Sequence, residues 1–322
     1  MSNKDIINYL GSDWDRTLAL IRDQLHSDVG LLEQTNRQIL SNTGKMLRPM
    51  VALLMARAVG TPTGDSICFA AASELLHNAT LIHDDVADGS AERRGQPTVS
   101  ALLGAGTAVL LGDYWLARAV DLVVDTAHRD AVIRKFAKTL TDLAEGEMLQ
   151  LEKASACDTT EADYLRIIHC KTASLFCVAA ETAAVSVDAG PEQTAAALAY
   201  GSALGIAFQI KDDILDYAGT DSLGKPVGQD LLEQKITLPL LGALQGSPRE
   251  AEIRAMVRDI PSHPEYCGQV RRFVTERDGV GFAARRLSEW VERAVRALDV
   301  FPDSPAREYL AGIARYNEWR QV

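Results

Sequence analysis

Apolar residues recur at three- and four-residue spacing through most of the chain, the period of a helix with one buried face. Runs over 65–88, 104–126, 130–152, 161–188, 191–217 and 282–299 carry this period far enough to be read as helices. No segment alternates convincingly between apolar and polar positions, and no strand–turn–helix glycine motif is present. Stretches bearing Gly and Pro at 59–64, 89–97, 219–228, 246–248 and 261–268 mark loops. The pattern predicts an all-α chain of many packed helices. Length alone allows one large domain or two; without a low-complexity linker, one all-α domain over 1–322 is expected.

Composition narrows the function. The 322 residues are 47% apolar and 24% charged, an ordinary globular balance. A net charge of -11 argues against a nucleic-acid partner. The five cysteines have no metal-ligand spacing, and Cys170 and Cys177, seven apart, are expected on one buried helix face. Reduced core thiols, no visible signal peptide and no apolar run of about 18 residues together predict a cytoplasmic protein with no integral membrane segment.

Two predicted helices end alike. Asp84-Asp85-Val86-Ala87-Asp88 closes one, and Asp212-Asp213-Ile214-Leu215-Asp216 closes another. The C-terminal end of a helix carries partial negative charge and disfavours carboxylates. Like charges at i and i+4 also repel. A local rule broken twice, with no Lys or Arg inside either cluster, points to an absent cation. Mg²⁺, a hard ion that prefers carboxylate oxygen and keeps waters for substrate phosphates, suits the donors. Asp84 and Asp88 share one helix face, as do Asp212 and Asp216. A single copy would be read as an exposed acidic helix end; two copies in matched small-residue helices, each followed by a basic loop, are not. Two such ends facing across a cleft could hold metal ions and a diphosphate.

Cations that could complete a diphosphate site lie nearby. They are Lys45 and Arg48 in a Gly-Lys-x-Leu-Arg-Pro stretch, His77 seven residues before Asp84, Arg93 and Arg94, and Lys171-Thr172 inside an apolar helix. Arginine forks suit phosphate oxygens. Taken singly, each fits a solvated turn or a satisfied core position equally well.

The ordered set of motifs resembles the trans-isoprenyl diphosphate synthases, or polyprenyl synthetases, over about residues 40–245. The matching residues are Gly44-Lys45 with Leu47-Arg48-Pro49, His83 through Asp88 with Arg93-Arg94-Gly95, Gly112-Asp113-Tyr114, Gly146-Glu147 with Gln150, Lys171-Thr172, Phe208 through Tyr217, Gly224-Lys225-Pro226, Gly228 with Asp230-Leu231, and Lys235 through Pro239. The stretch 100–107 is poorer in polar residues than the family pattern. The resemblance implies the isoprenoid synthase fold, one helical bundle around a central cavity. It implies Mg²⁺, three ions with substrate bound, on Asp84, Asp88 and Asp212, with Asp85, Asp213 and Asp216 supporting through water. Arg93, Lys171, Thr172, Gln209, Lys225 and Lys235 would hold an allylic diphosphate, with Arg93, Lys171 and Lys225 acting on the leaving group. Lys45, Arg48, His77 and Arg94 would hold isopentenyl diphosphate. A homodimer is implied by the family alone.

The stripe beneath Asp84 is Thr80, Leu76, Ser73 and Phe69. In the resembled family, bulky aromatics four or five residues before the first Asp stop growth at fifteen carbons. Ala79 and Thr80 are small, so a product of at least twenty carbons, near forty, is expected. Bulk from another helix, at Leu111 or Trp115, would close the tunnel early instead. A short-chain synthase, a terpene cyclase and a non-catalytic subunit of the same fold remain as alternatives. Consumption of isopentenyl diphosphate separates a synthase from a cyclase, and two intact acidic motifs argue against a non-catalytic subunit.

Overall fold

The computed structural model describes residues 2–42, 44–218 and 228–320. The helices are α1 (Asn3–Leu10), α2 (Ser12–Gln24), α3 (Gly30–Ser41), α4 (Leu47–Val59), α5 (Gly64–Ala87), α6 (Val99–Leu103), α7 (Ala105–Val124), α8 (Arg129–Ala156), α9 (Glu161–Ile168), α10 (Ser174–Val185), α11 (Pro191–Ala218), α12 (Gln229–Leu232), α13 (Leu238–Leu244), α14 (Glu250–Asp259), α15 (Glu265–Glu276), α16 (Gly279–Ala297) and α17 (Pro305–Trp319). The all-α expectation holds, and the six apolar runs fall on α5, α7, α8, α9 with α10, α11 and α16. Among the described residues the exception is a hairpin, β1 (Glu92–Arg93) with β2 (Gln96–Pro97). Arg94 and Gly95 turn it with φ of 53° and 72°, the left-handed pair that a type I′ turn requires. Two residues per strand are too few to show alternation in a sequence. Among the described residues no helix is long and apolar enough to cross a membrane.

The chain divides into two compact units. The first comprises Met1–Ala137, Val178–Leu198 and Val300–Leu310. Its centre is α5, packed against α2, α4 and α7. Ala70, Ala71 and Ala72 are fully buried and let these helices approach closely. Where α7 crosses the acidic end of α5, a Cβ on Gly112 would lie 2.2 Å from His83 Nε2, so any larger residue would have to displace the imidazole. The start of α5 is fixed by a reciprocal cap between Thr63 and Ser66. Both hydroxyls also reach Ser186, at 3.0 Å to its carbonyl and 2.6 Å to its Oγ.

The second unit comprises Lys138–Cys177, Ala199–Asp299 and Ala311–Val322. Here the expected continuous helix over 161–188 is interrupted. Residues His169–Ala173 form a π-helical turn between α9 and α10. Gly205 of α11 sits against that turn so closely that a Cβ would lie 2.4 Å from Ala173 Cα. One extra residue in a helical turn redirects the side chains after it, and such turns often accompany functional groups. The periodicity could not show this, since apolar spacing on either side is still helical. Helix α16 buries Ala283, Leu287, Val291 and Ala294 along one stripe and packs on α13. Arg254 of α14 donates to the carbonyls of Cys157 and Thr159, satisfying acceptors just beyond α8.

His128, between α7 and α8, links three segments of the first unit. Its Nδ1 lies 2.7 Å from Asp65 and its Nε2 3.1 Å from Asp188. These two carboxylates raise its pKa above the ordinary histidine value. A raised folded-state pKa contributes stability that is full below the unfolded value near 6.5 and lost as pH rises through the folded value. Calorimetry should therefore show Tm falling from about pH 6 to pH 8.5, with the fall smaller in His128→Gln. An equal fall in the variant would show that the bridge contributes nothing.

Candidate active site

The first unit presents one acidic motif at the end of α5. The three carboxylates are not equivalent. Asp85 is buried and accepts from Arg93 Nε at 2.7 Å. Burial raises its pKa and Arg93 opposes that shift. Asp84 is half-buried, and Asp88, capping the helix, is exposed. The middle carboxylate is thus the buried one of the three, and the flanking pair, one turn apart, is more exposed.

Four of the expected diphosphate groups gather near this end. Arg94 lies over Gly44, whose missing side chain leaves room: a Cβ there would stand 2.8 Å from the guanidinium carbon. Arg94 Nη1 also donates to the Asn42 carbonyl at 3.2 Å. Lys45 is exposed. Arg48, in the first turn of α4, is half-buried, and burial draws its pKa down to about 10, which leaves it protonated. His77 is held well below the usual histidine value, first by burial and then by Arg48, Arg94 and Arg93. It is a neutral ring, not a cation, and its buried Nδ1 has no hydrogen-bond partner.

Of the residues expected to set product length, Ala79 is 1% exposed, and Leu76, Ser73 and Phe69 are fully buried. Thr80 is half-buried, and its hydroxyl is turned back onto the His77 carbonyl at 2.8 Å. The opposite face of α5 lines a cleft of about 520 Å³ with Asn78, Leu81, Ile82 and Asp85, closed by α3, the hairpin and α6. Nothing in the motif spacing indicated it.

The second unit presents the other motif at the end of α11. Asp213 is buried and receives two donors, Tyr164 Oη at 2.6 Å and Gln209 Nε2 at 2.9 Å. Gln209 Oε1 in turn accepts from Thr172 Oγ1 at 2.8 Å. Burial raises the Asp213 pKa, against the pull of Tyr164 and Gln209. Asp216 accepts from the amides of Gln229 and Asp230 at 3.0 and 3.3 Å, so it caps α12. Asp212 is more open, at 41% side-chain exposure, and is paired with Arg320.

Lys171 and Thr172, in the π turn, line a cavity of about 140 Å³ with Gln150, Gln209, Asp213 and Lys235. The anion that meets Lys171 here is Glu147, with Gln150 Oε1 at 3.0 Å. Lys235 is paired with Glu233. Lys225 lies outside the described residues. Sequence reasoning gave no role to Tyr164, Glu147 or Lys153, the last a further lysine on the cavity wall. Tyr164 is separated from Asp213 by 49 positions, so no local pattern links them.

The donors suit a hard cation. They are all carboxylate oxygen, and in each motif the inner Asp is the one buried and hydrogen-bonded, while Asp88 and Asp212 are the more exposed. Among the described residues no three His, Cys, Asp or Glu side chains are grouped so that they could together hold a metal ion. Mg²⁺ is usually held by one or two carboxylates, with waters and substrate phosphates completing its shell.

Comparison with known proteins places these features. The polyprenyl synthetase family model matches residues 29–274. The chain belongs to the polyprenyl synthetase family. The match runs further in both directions than the motifs alone indicated, and it includes residues of both compact units. The chain is 39% identical over 315 residues to the octaprenyl diphosphate synthase of Escherichia coli K12, covering 97% of each. It is likewise 39% identical to a geranyl-diphosphate-specific all-trans-nonaprenyl-diphosphate synthase of Rhodobacter capsulatus, covering 97% and 96%. A solved decaprenyl diphosphate synthase from Rhodobacter capsulatus superposes with a TM-score of 0.91 at 36% identity over 98% of both chains. A Caulobacter crescentus polyprenyl synthase, complexed with calcium and isoprenyl diphosphate, gives 0.90 at 34% identity over 100% and 98%.

Tyr164 is the test of how Asp213 is held. Tyr164→Phe removes a 2.6 Å bond that favours the carboxylate form. The acid limb of the activity profile should move to higher pH, with stability lowered by about 1.5–3 kcal/mol, the usual worth of a hydrogen bond to a charged group. An unmoved limb in a folded variant would remove Asp213 from the titration that limits activity.

Proposed function

We propose that the chain is a trans-polyprenyl diphosphate synthase, a prenyltransferase that condenses isopentenyl diphosphate head-to-tail onto an allylic diphosphate primer. The product is at least twenty carbons long and near forty. The observation that carries this reading is the pair of intact acidic motifs, each with its inner carboxylate buried against its own donors, in a chain 39% identical along almost its whole length to an octaprenyl diphosphate synthase. We take the whole chain as one all-α synthetase domain, active in the cytoplasm as a homodimer.

The roles divide as follows. Asp84, Asp88 and Asp212 ligate Mg²⁺, supported through water by Asp85, Asp213 and Asp216. Three bound ions would supply charge neutralisation at the leaving diphosphate. Arg93, Lys171, Thr172, Gln209, Lys225 and Lys235 grip the allylic diphosphate. Lys45, Arg48 and Arg94 hold the isopentenyl diphosphate, with neutral His77 as a hydrogen-bonding partner. Departure of the diphosphate leaves an allylic carbocation. The isopentenyl double bond attacks it, and a proton is then lost to the departed diphosphate. Positive charge fixed at the leaving group before reaction is the largest catalytic term.

Incubation with isopentenyl diphosphate and several primers, read by mass spectrometry, tests this directly. Diphosphates extended by successive five-carbon units are expected, with turnover abolished by chelation and restored by Mg²⁺. A cyclised hydrocarbon formed without isopentenyl diphosphate would favour a cyclase, and no product with any primer a non-catalytic role.

Product length is tested on α5. Thr80→Phe and Ala79→Phe should each shorten the product towards fifteen carbons while the first condensations continue. Phe69→Ala should lengthen it if Phe69 forms the tunnel floor. An unchanged distribution in both Phe variants would mean that the chain does not grow along this face.

A further inference from the structure

The second acidic motif has a cationic partner 108 residues away in the chain. Arg320 follows α17 and is 5% exposed. Its Nη2 lies 2.6 Å from Asp212 Oδ1 and 2.9 Å from the Phe208 carbonyl one turn earlier on α11. Its Nε donates to Asn317 Oδ1 at 3.1 Å, and the guanidinium stacks 4.3 Å from the Phe208 ring centre. Lys211 Nζ donates to the Glu318 carbonyl at 3.2 Å, which ties the end of α17 to the same turn. The guanidinium is thus fixed on three sides before it meets Asp212.

A buried arginine needs a counter-charge, and docking α17 would be reason enough for one. The choice of partner says more. Asp213 is already satisfied by Tyr164 and Gln209, and Asp216 by backbone amides. Arg320 takes one oxygen of the carboxylate that the others leave open. Carboxylates that bind metals are commonly held this way, one oxygen fixed by a neighbour and the other turned to the ion. We propose that Arg320 is a positioning residue for the divalent cation: it fixes Asp212 Oδ1, orients the carboxylate for the ion and offsets repulsion within the motif. This rests on the reading of Asp212 as a Mg²⁺ ligand.

Two measurements on the full chain test it: Mn²⁺ binding followed by electron paramagnetic resonance with inorganic diphosphate present, and the Mg²⁺ concentration giving half-maximal turnover. Arg320→Leu should weaken both by about 10- to 100-fold, the usual effect of losing such a partner. The KM for isopentenyl diphosphate should change far less. Arg320→Gln, which keeps a donor but no charge, should recover part of the loss, and Asn317→Ala should give a smaller shift of the same sign. The second and third variants stand in if the first does not fold. A lowered Tm with unchanged metal affinity would make Arg320 a docking residue only, and tighter metal binding would make it a competitor of the ion; either overturns the proposal. So would a rise confined to the KM for isopentenyl diphosphate. Asp212→Asn separates the two levels. If it leaves metal binding intact, the ligand reading fails; if it weakens binding while the Arg320 variants do not, only the positioning role fails.

Discussion

Three carboxylates at the C-terminal end of a helix are the constraint around which each unit is organised. Two unit charges 4 Å apart repel by about 4 kcal/mol at the effective dielectric of a protein surface. The helix dipole adds to the cost. Each unit relieves the strain in the same manner, by burying the middle carboxylate against donors of its own. Asp85 takes Arg93, and Asp213 takes Tyr164 and Gln209. A hydrogen bond to a charged group contributes about 1.5–3 kcal/mol, so one neutral donor would not offset a buried carboxylate and a second is needed. Of the outer carboxylates, Asp212 meets Arg320 and Asp216 takes two backbone amides, while Asp88 is exposed.

The cations assigned to phosphate obey the same logic in reverse. Lys171 rests on Glu147, Lys235 on Glu233 and Arg93 on Asp85. Half-exposed pairs such as the two lysine pairs contribute about 0–1 kcal/mol each, so exchanging them for a diphosphate costs little stability. Holding long side chains near a single rotamer also lowers the ordering cost of binding. The π turn serves this end, since it sets Lys171 and Thr172 side by side on the cavity wall while α9 and α10 keep their apolar faces buried. His77 departs from the set. With its Nδ1 buried and three arginines near enough to act on it, it contributes a neutral ring, and the charge it was expected to bring comes from its neighbours.

What the sequence by itself determined was whatever repeats locally. Helical periodicity placed the main helices to within a few residues, because apolar spacing and small residues act within one element. The acidic motifs were legible because carboxylates that violate local helical preference show in any single segment; Lys45, Arg48, Arg93 and Lys171 fitted bland positions when taken singly, and Lys235 was pointed to by the family resemblance alone. Tertiary structure alone decided which carboxylate of each trio is available. That choice rests on partners 8 residues from Asp85, 49 from Asp213 and 108 from Asp212, and on glycines such as Gly112 whose purpose appears only when a second helix arrives. It also decided the protonation of His77, since the desolvation and neighbouring charge that set it come from packing. Composition and spacing record which groups a chain owns; burial and distant hydrogen bonds determine which of them remain free to act.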